Sequence, residues 1–137
     1  MKLNIKNETG KLKSVVLGQP KSMGPIPTLE ESYDAKSYHS IEHNIYPKEE
    51  DIISEVSAFE AVLKKYDVEV LRPAIIKDYN QVFARDVAFV IEDKMIISNV
   101  IKDREDEQEA YRKIFEKVEW RKIINLPETA HIEGGDV

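Results

Sequence analysis

Cysteine is missing from all 137 positions of this chain. Its absence excludes a disulfide framework, a CxxC redox pair, a thiolate zinc site and any cysteine nucleophile supplied by these residues. What holds the chain together is therefore a hydrophobic core. Positive charge is not in excess either, since 20 Lys and Arg stand against 26 Asp and Glu for a net charge of −6. With a pI near 5.2, that balance argues against a broad basic face for nucleic acid or an anionic membrane. It suits a small cationic ligand better. No apolar run approaches the roughly 18 residues that cross a bilayer. The start, Met1-Lys2-Leu3-Asn4-Ile5-Lys6, lacks the apolar stretch of a signal peptide. The expectation is a cytoplasmic protein with no membrane partner and no nucleic-acid partner.

What is present fits one soluble domain. Apolar residues make up 42% and charged residues 34%, too hydrophobic a mixture for disorder and enough for a modest core. Val15-Val16-Leu17, closed by Gly18 and Pro20, reads as a buried strand. Residues 19–47 carry Pro20, Pro25, Pro27 and Pro47 and no sustained period. A stretch so much longer than the usual ~4–6-residue connection is either a functional lid or rim, or a linker. His39 and His43 fall within it and, without a helical period, read as solvated loop residues rather than metal ligands.

Regular structure resumes at residue 48. Ile52, Val56, Phe59, Leu63 and Tyr66 form one apolar stripe of a helix over 48–66, with Glu49, Glu50 and Asp51 at its start and Lys64 and Lys65 at its end. Val68-Glu69-Val70-Leu71 then alternates as a strand stopped by Arg72-Pro73. Residues 87–91 and 95–98 read as a hairpin turning at Glu92-Asp93-Lys94, apolar on both faces. A second helix over 105–118 has Ala110, Tyr111, Ile114, Phe115 and Val118 as its stripe, and a strand at 121–125 ends at Pro127. The acidic run at 103–109 reads as a solvated helix start, and Trp120 as a core or module-boundary residue. Helix, strand and proline thus recur at a spacing of 54 residues, Pro73 to Pro127.

Past each proline comes an acidic motif. The first is Phe83-Ala84-Arg85-Asp86; the second is His131-Ile132-Glu133-Gly134-Gly135-Asp136-Val137. Carboxylates delivered by equivalent positions of a repeat converge, and a dry carboxylate needs a partner. A planar cation that accepts paired hydrogen bonds, a guanidinium, is complementary to them. The bland alternatives are an ion pair between Asp86 and Arg85 or a nearby lysine, and a surface turn at Gly134-Gly135.

At these motifs the sequence resembles the guanidino-group-modifying enzymes: amidinotransferases, arginine deiminases and dimethylarginine dimethylaminohydrolases. The stretch Lys11-Leu12-Lys13-Ser14-Val15-Val16-Leu17-Gly18 and the Arg72-Pro73-ended strand resemble the amidinotransferase branch. The resemblance implies an α/β pentein fold, a β/α-propeller of ββαβ modules. This chain would be an incomplete pentein: module 1 at about 1–79, module 2 at about 80–128, and the start of module 3 at about 129–137. It implies a cysteine nucleophile, a proton-shuttling histidine and carboxylates that hold the guanidinium, and no metal or cofactor. Asp86 would grip the guanidinium, and Glu133 would contact the catalytic histidine or the guanidinium itself. Arg85 would pair with an acidic group or line the substrate entrance. Gly134 and Gly135 would allow a tight backbone path beside the ligand, and Asp136 would be structural. No residue here matches the catalytic cysteine or histidine, and His131 does not stand where the family places the latter. The chain is therefore expected to be an inactive N-terminal fragment of a larger enzyme. Its uncovered sheet edges are expected to favour homo-oligomers.

Overall fold

Three-residue strands cannot bury themselves singly, and the chain pairs them. β1 (Ser14–Val16) lies parallel to β2 (Glu69–Leu71), Val15 opposite Val70. The computed structural model describes residues 1–137 apart from Tyr33, Glu133 and Val137, and only the backbone of Asp103 and Asp136. Parallel pairing demands a crossover, which contains α1 (Ala35–Glu42) and α2 (Glu49–Lys65). α2 is the helix expected at 48–66, with its acidic first turn and basic last turn.

Its apolar stripe is buried less than the spacing predicts. Leu63 is buried, but Phe59 and Tyr66 are 53% and 68% exposed. The cause is a mismatch of length: seventeen helical residues span about 25 Å, whereas strands of three residues run only about 10 Å. A clamp fixes the covered end. Arg72 donates to Glu60 on α2 and to the Gly18 carbonyl after β1, and Lys64 pairs with Glu60 at 2.6 Å.

α1 corrects the reading of residues 19–47 as lacking a helix. Asp34 caps it, its carboxylate accepting from the Lys36 and Ser37 amides at 2.9 Å each. No residue of α1 is buried, so there is no apolar stripe to announce it. His39 lies on this helix and His43 caps its end, their rings stacked at 4.0 Å, so they are not loop residues. The segment is fastened to its surroundings, the Met23 amide donating to Glu49 at 2.8 Å and the Tyr79 amide to the Ser22 carbonyl at 2.7 Å.

A one-turn helix, α3 (Ala84–Val87), opens the second half. β3 (Ala88–Ile91) and β4 (Lys94–Ile97) follow as the expected antiparallel hairpin. The turn has two residues rather than three, because Lys94 pairs with Ile91. Glu92 takes a positive φ of 52° there, and its backbone is held on both sides by Ile5 at 2.6 and 2.7 Å. The single helix expected at 105–118 is instead α4 (Asp106–Ala110) and α5 (Arg112–Phe115), parted at Tyr111, whose amide bonds the Gln108 carbonyl. β5 (Ile123–Asn125) then lies parallel to β4, giving the sheet order β3-β4-β5. Trp120, Arg121 and Lys122 form a 3-10 turn before β5 rather than its first residues. Trp120 is 75% exposed, which corrects its reading as a core residue, and the Arg121 guanidinium lies 5.2 Å from its ring.

One core joins the halves. Leu71 of β2, Val87 of α3, Ala110, Tyr111 of the α4–α5 break and Ile114 of α5 pack together, and Leu3, Met95 and Val118 form a second cluster. The helical stripe read at 110–118 is thus buried except for half-buried Phe115. Among the described residues, no helix is long and apolar enough to cross a membrane.

The Glu60 clamp makes stability depend on pH. Hydrogen bonds from Arg72 first and Lys64 second hold its carboxyl below the usual carboxylate range. A carboxyl depressed by folding contributes stability above its unfolded pKa, and the contribution disappears as pH falls through the folded value. Glu60→Gln is expected to cost about 0.5–1 kcal/mol near neutrality, with the difference closing as pH falls from about 5 towards 3. Urea unfolding of both proteins across that range measures it; a constant difference would contradict the clamp.

Candidate functional site

α3 is held by what it buries. Val87 is fully buried and Ala84 packs on the same cluster, so the intervening Arg85 and Asp86 are left on the outer side of the turn. The Val87 carbonyl accepts from the Ser98 amide at 3.1 Å, tying α3 to the end of β4. This gives the Asp86 carboxylate a fixed base. Among the described residues its partner is Arg104, Nη1 to Oδ2 at 2.9 Å, rather than the adjacent Arg85 or a lysine. Arg104 stands at the end of the 3-10 turn Lys102–Arg104 and turns Nε and Nη2 on Glu107, with Nε to Oε1 at 2.6 Å and Nη2 to Oε2 at 3.1 Å, Nη2 also reaching the Phe83 carbonyl at 3.5 Å.

Glu107 is fully buried, and the Arg104 side chain is only 12% exposed. The acidic run at 103–109 is therefore not simply a solvated helix face. The missed signal was its phase: Glu107 precedes Ala110, Tyr111 and Ile114 by three, four and seven residues, which puts it on the buried stripe. Arg104, three residues earlier, supplies the counter-charge. Burial opposes the Arg104 charge, but hydrogen bonds to Glu107 and then Asp86 outweigh it and hold the guanidinium pKa above its ordinary value. The Tyr111 phenol beside this group is pushed up, chiefly by burial and then by the Glu107 charge. Its hydroxyl has no hydrogen-bond partner among the described residues. Two carboxylates on one guanidinium leave the cluster with a net charge of −1. Asp86, 20% exposed, is its outermost acid.

The second motif packs against the first. Gly134 opens the 3-10 turn Gly134–Asp136 and is buried on α3; a Cβ there would collide with the carbonyl oxygen of Arg85. Gly135 has open space around it. Glu133, Val137 and the Asp136 side chain lie outside the described residues. The Arg85 guanidinium reaches Glu8 at 3.3 Å, both side chains being exposed. Asn99, just past β4, steers the chain towards the second motif. Its amide donates to the carbonyls of Pro127 at 2.7 Å and Ala130 at 2.9 Å. Asn99, Arg104, Glu107 and Tyr111 are the residues that reasoning from motifs did not single out as parts of the site.

The fold that carries this site is one seen in amidinotransferases. The chain superposes on SxtG, an amidinotransferase from Microseira wollei in the saxitoxin biosynthetic pathway, with a TM-score of 0.66 and 20% identity over 92% of its length. It matches the inosamine-phosphate amidinotransferase StrB1 from Streptomyces griseus with a TM-score of 0.61 and 14% identity over 92%. AgrE, in the binary complex of a cysteine-to-alanine mutant with L-arginine, gives a TM-score of 0.65 and 17% identity over 90%. This chain spans 42% of SxtG, 43% of StrB1 and 17% of AgrE. No family model and no curated protein sequence matches it. The resemblance carried by residues 83–86 and 131–137 is thus met by a shared fold.

The two glycines of the second motif are expected to differ. Gly134→Ala should cost about 1–3 kcal/mol, the range for forcing atoms into a packed site, or lift the 134–136 turn from α3. Gly135→Ala should stay within about 0.5 kcal/mol. Urea unfolding, with amide NMR shifts at Ala84 and Arg85, separates them; equal effects would contradict the packing.

Proposed function

We propose that this chain is the N-terminal part of an amidinotransferase-like enzyme acting on arginine or a related guanidino compound. The observation that carries the reading is the Asp86 cluster: an outward carboxylate on a rigid turn, net charge −1, with the Gly134 turn set directly on its neighbour Arg85. A guanidinium is the planar cation that such a carboxylate can hold by directed hydrogen bonds. The fold shared with two amidinotransferases is what supports reading transfer ahead of hydrolysis.

In this proposal the chain is an incomplete pentein with the module boundaries given above. Asp86 grips the guanidinium. Glu133 contacts the catalytic histidine or the guanidinium, Arg85 lines the entrance, and Gly134, Gly135 and Asp136 shape the backbone beside the ligand. A cysteine thiolate beyond Val137 attacks the guanidinium carbon, and the substrate's amine leaves with a proton from a histidine also beyond Val137. In the transferase an acceptor amine then takes the amidino group from sulfur and regenerates the thiol. In a hydrolase the amine that leaves is instead ammonia or dimethylamine, and water attacks the carbon still carrying the substrate chain, releasing citrulline and the thiol. Residues 1–137 alone are inactive in this scheme and self-associate through uncovered apolar surface, of which Trp120 is the most exposed aromatic among the described residues.

The full-length gene product incubated with L-arginine tests this. Ornithine released only when an amine acceptor is added is the expected result. Citrulline without acceptor would mark a deiminase, and dimethylamine from methylated arginine a dimethylaminohydrolase. Asp86→Asn is expected to lower kcat/KM at least about 100-fold, the scale of losing a charge-assisted contact to the reacting group. A stop codon directly after Val137 would overturn the enzyme reading and favour a non-catalytic guanidinium-binding module. For the 137-residue chain alone, sedimentation velocity is expected to show concentration-dependent association; a compact monomer would count against the fragment.

A further inference from the structure

Asp86 is not a free carboxylate, because the chain's own guanidinium already touches it. The contact is one-sided. Arg104 gives Asp86 a single bond to Oδ2, while Nε and Nη2 close as a fork on Glu107. A guanidinium competing for Asp86 would turn that fork on Asp86 instead, since the paired arrangement is the stronger one. Asp86 Oδ1 accepts no hydrogen bond among the described residues. Arg104 is also not free to withdraw. Glu107 is fully buried, and the loss of its counter-charge would leave an uncompensated ion in the interior.

We propose that Arg104 is a positioning residue for guanidinium recognition, anchored by Glu107, holding Asp86 through Oδ2 and leaving Oδ1 as the acceptor for a substrate guanidinium N–H. The proposal rests on the guanidino reading above. It assigns the three charges of the cluster separate tasks. Glu107 holds the fork, Arg104 sets the rotamer of Asp86, and Asp86 alone faces the ligand. A lysine at 104 keeps the positive charge but has no rigid fork to serve two carboxylates at once, so its effect separates geometry from charge.

The test is L-arginine binding to the full-length protein and its Arg104→Lys, Glu107→Gln, Asp86→Asn and Asp86→Asn/Arg104→Lys variants, by calorimetry and, for weak binders, ligand-observed NMR. Arg104→Lys is expected to weaken binding about 10–100-fold and Glu107→Gln about 3–10-fold, as befits loss of a bidentate charge-assisted pair. On the Asp86→Asn background the further cost of Arg104→Lys should vanish to within about twofold, because a residue acting through Asp86 has nothing left to act on. An equal cost on both backgrounds overturns the proposal, since it marks a merely structural role. Unchanged binding by a folded Arg104→Lys protein overturns it too. So does tighter binding, which would make Arg104 an internal competitor. If Arg104→Lys does not fold, the same cycle between Glu107→Gln and Asp86→Asn decides. Parent protein that binds neither L-arginine nor guanidine overturns the guanidino reading itself, whereas parent binding with an unaffected variant overturns only the positioning role.

Discussion

A guanidinium buried as deeply as that of Arg104 has to be neutralised, and the two carboxylates that do so come from different places in the chain. Glu107 lies on α4, in phase with the apolar residues that face the core, and would cost several kcal/mol as a lone buried ion. Asp86 lies on α3, at the start of the hairpin. The ion group therefore crosses between two elements that share the Val87–Tyr111 core. Its three members constrain one another more tightly than any surface salt bridge could, because little water is present to replace a lost partner.

The topology brings Gly134 of the second motif to α3, which carries Asp86. β4 is followed by Ser98 and Asn99, and these two residues look both ways. The Ser98 amide bonds Val87 beside Asp86, while the Asn99 side chain gathers the carbonyls of Pro127 and Ala130. β5 lies parallel to β4, so the chain leaves both strands at the same end of the sheet. The approach to residues 131–136 then passes close to α3, and Gly134 permits the contact because it carries no Cβ. The contact of Gly134 with α3 thus follows from parallel pairing and one amide clamp.

Much of this was legible in the residues. The β1–α2–β2 unit, the hairpin, the stripe at 110–118 and the last strand are all present, as periodicity and punctuation required. The errors have physical causes. α1 has no buried face and is set by a cap, which leaves no hydrophobic period to read. Phe59, Tyr66 and Trp120 are apolar but have no neighbouring described element to cover them. In the candidate site, Asp86 and the glycine pair were legible as motif residues. Arg104 and Glu107 were hidden within a run of charge whose burial depends on helical phase and on the arrival of α3.

The sequence by itself determined the kinds of element, their order and the two acidic motifs, because local propensity, turn residues and apolar spacing act over a few positions. It also determined that a cysteine nucleophile is not among these residues. Only the tertiary structure decided which charges are partners. Asp86 is adjacent to Arg85 in sequence, yet pairs with Arg104 across 18 positions, while Arg85 turns to Glu8. Neighbouring side chains on a one-turn helix point in different directions, and ion pairing in a partly dry site follows distance and burial rather than order along the chain.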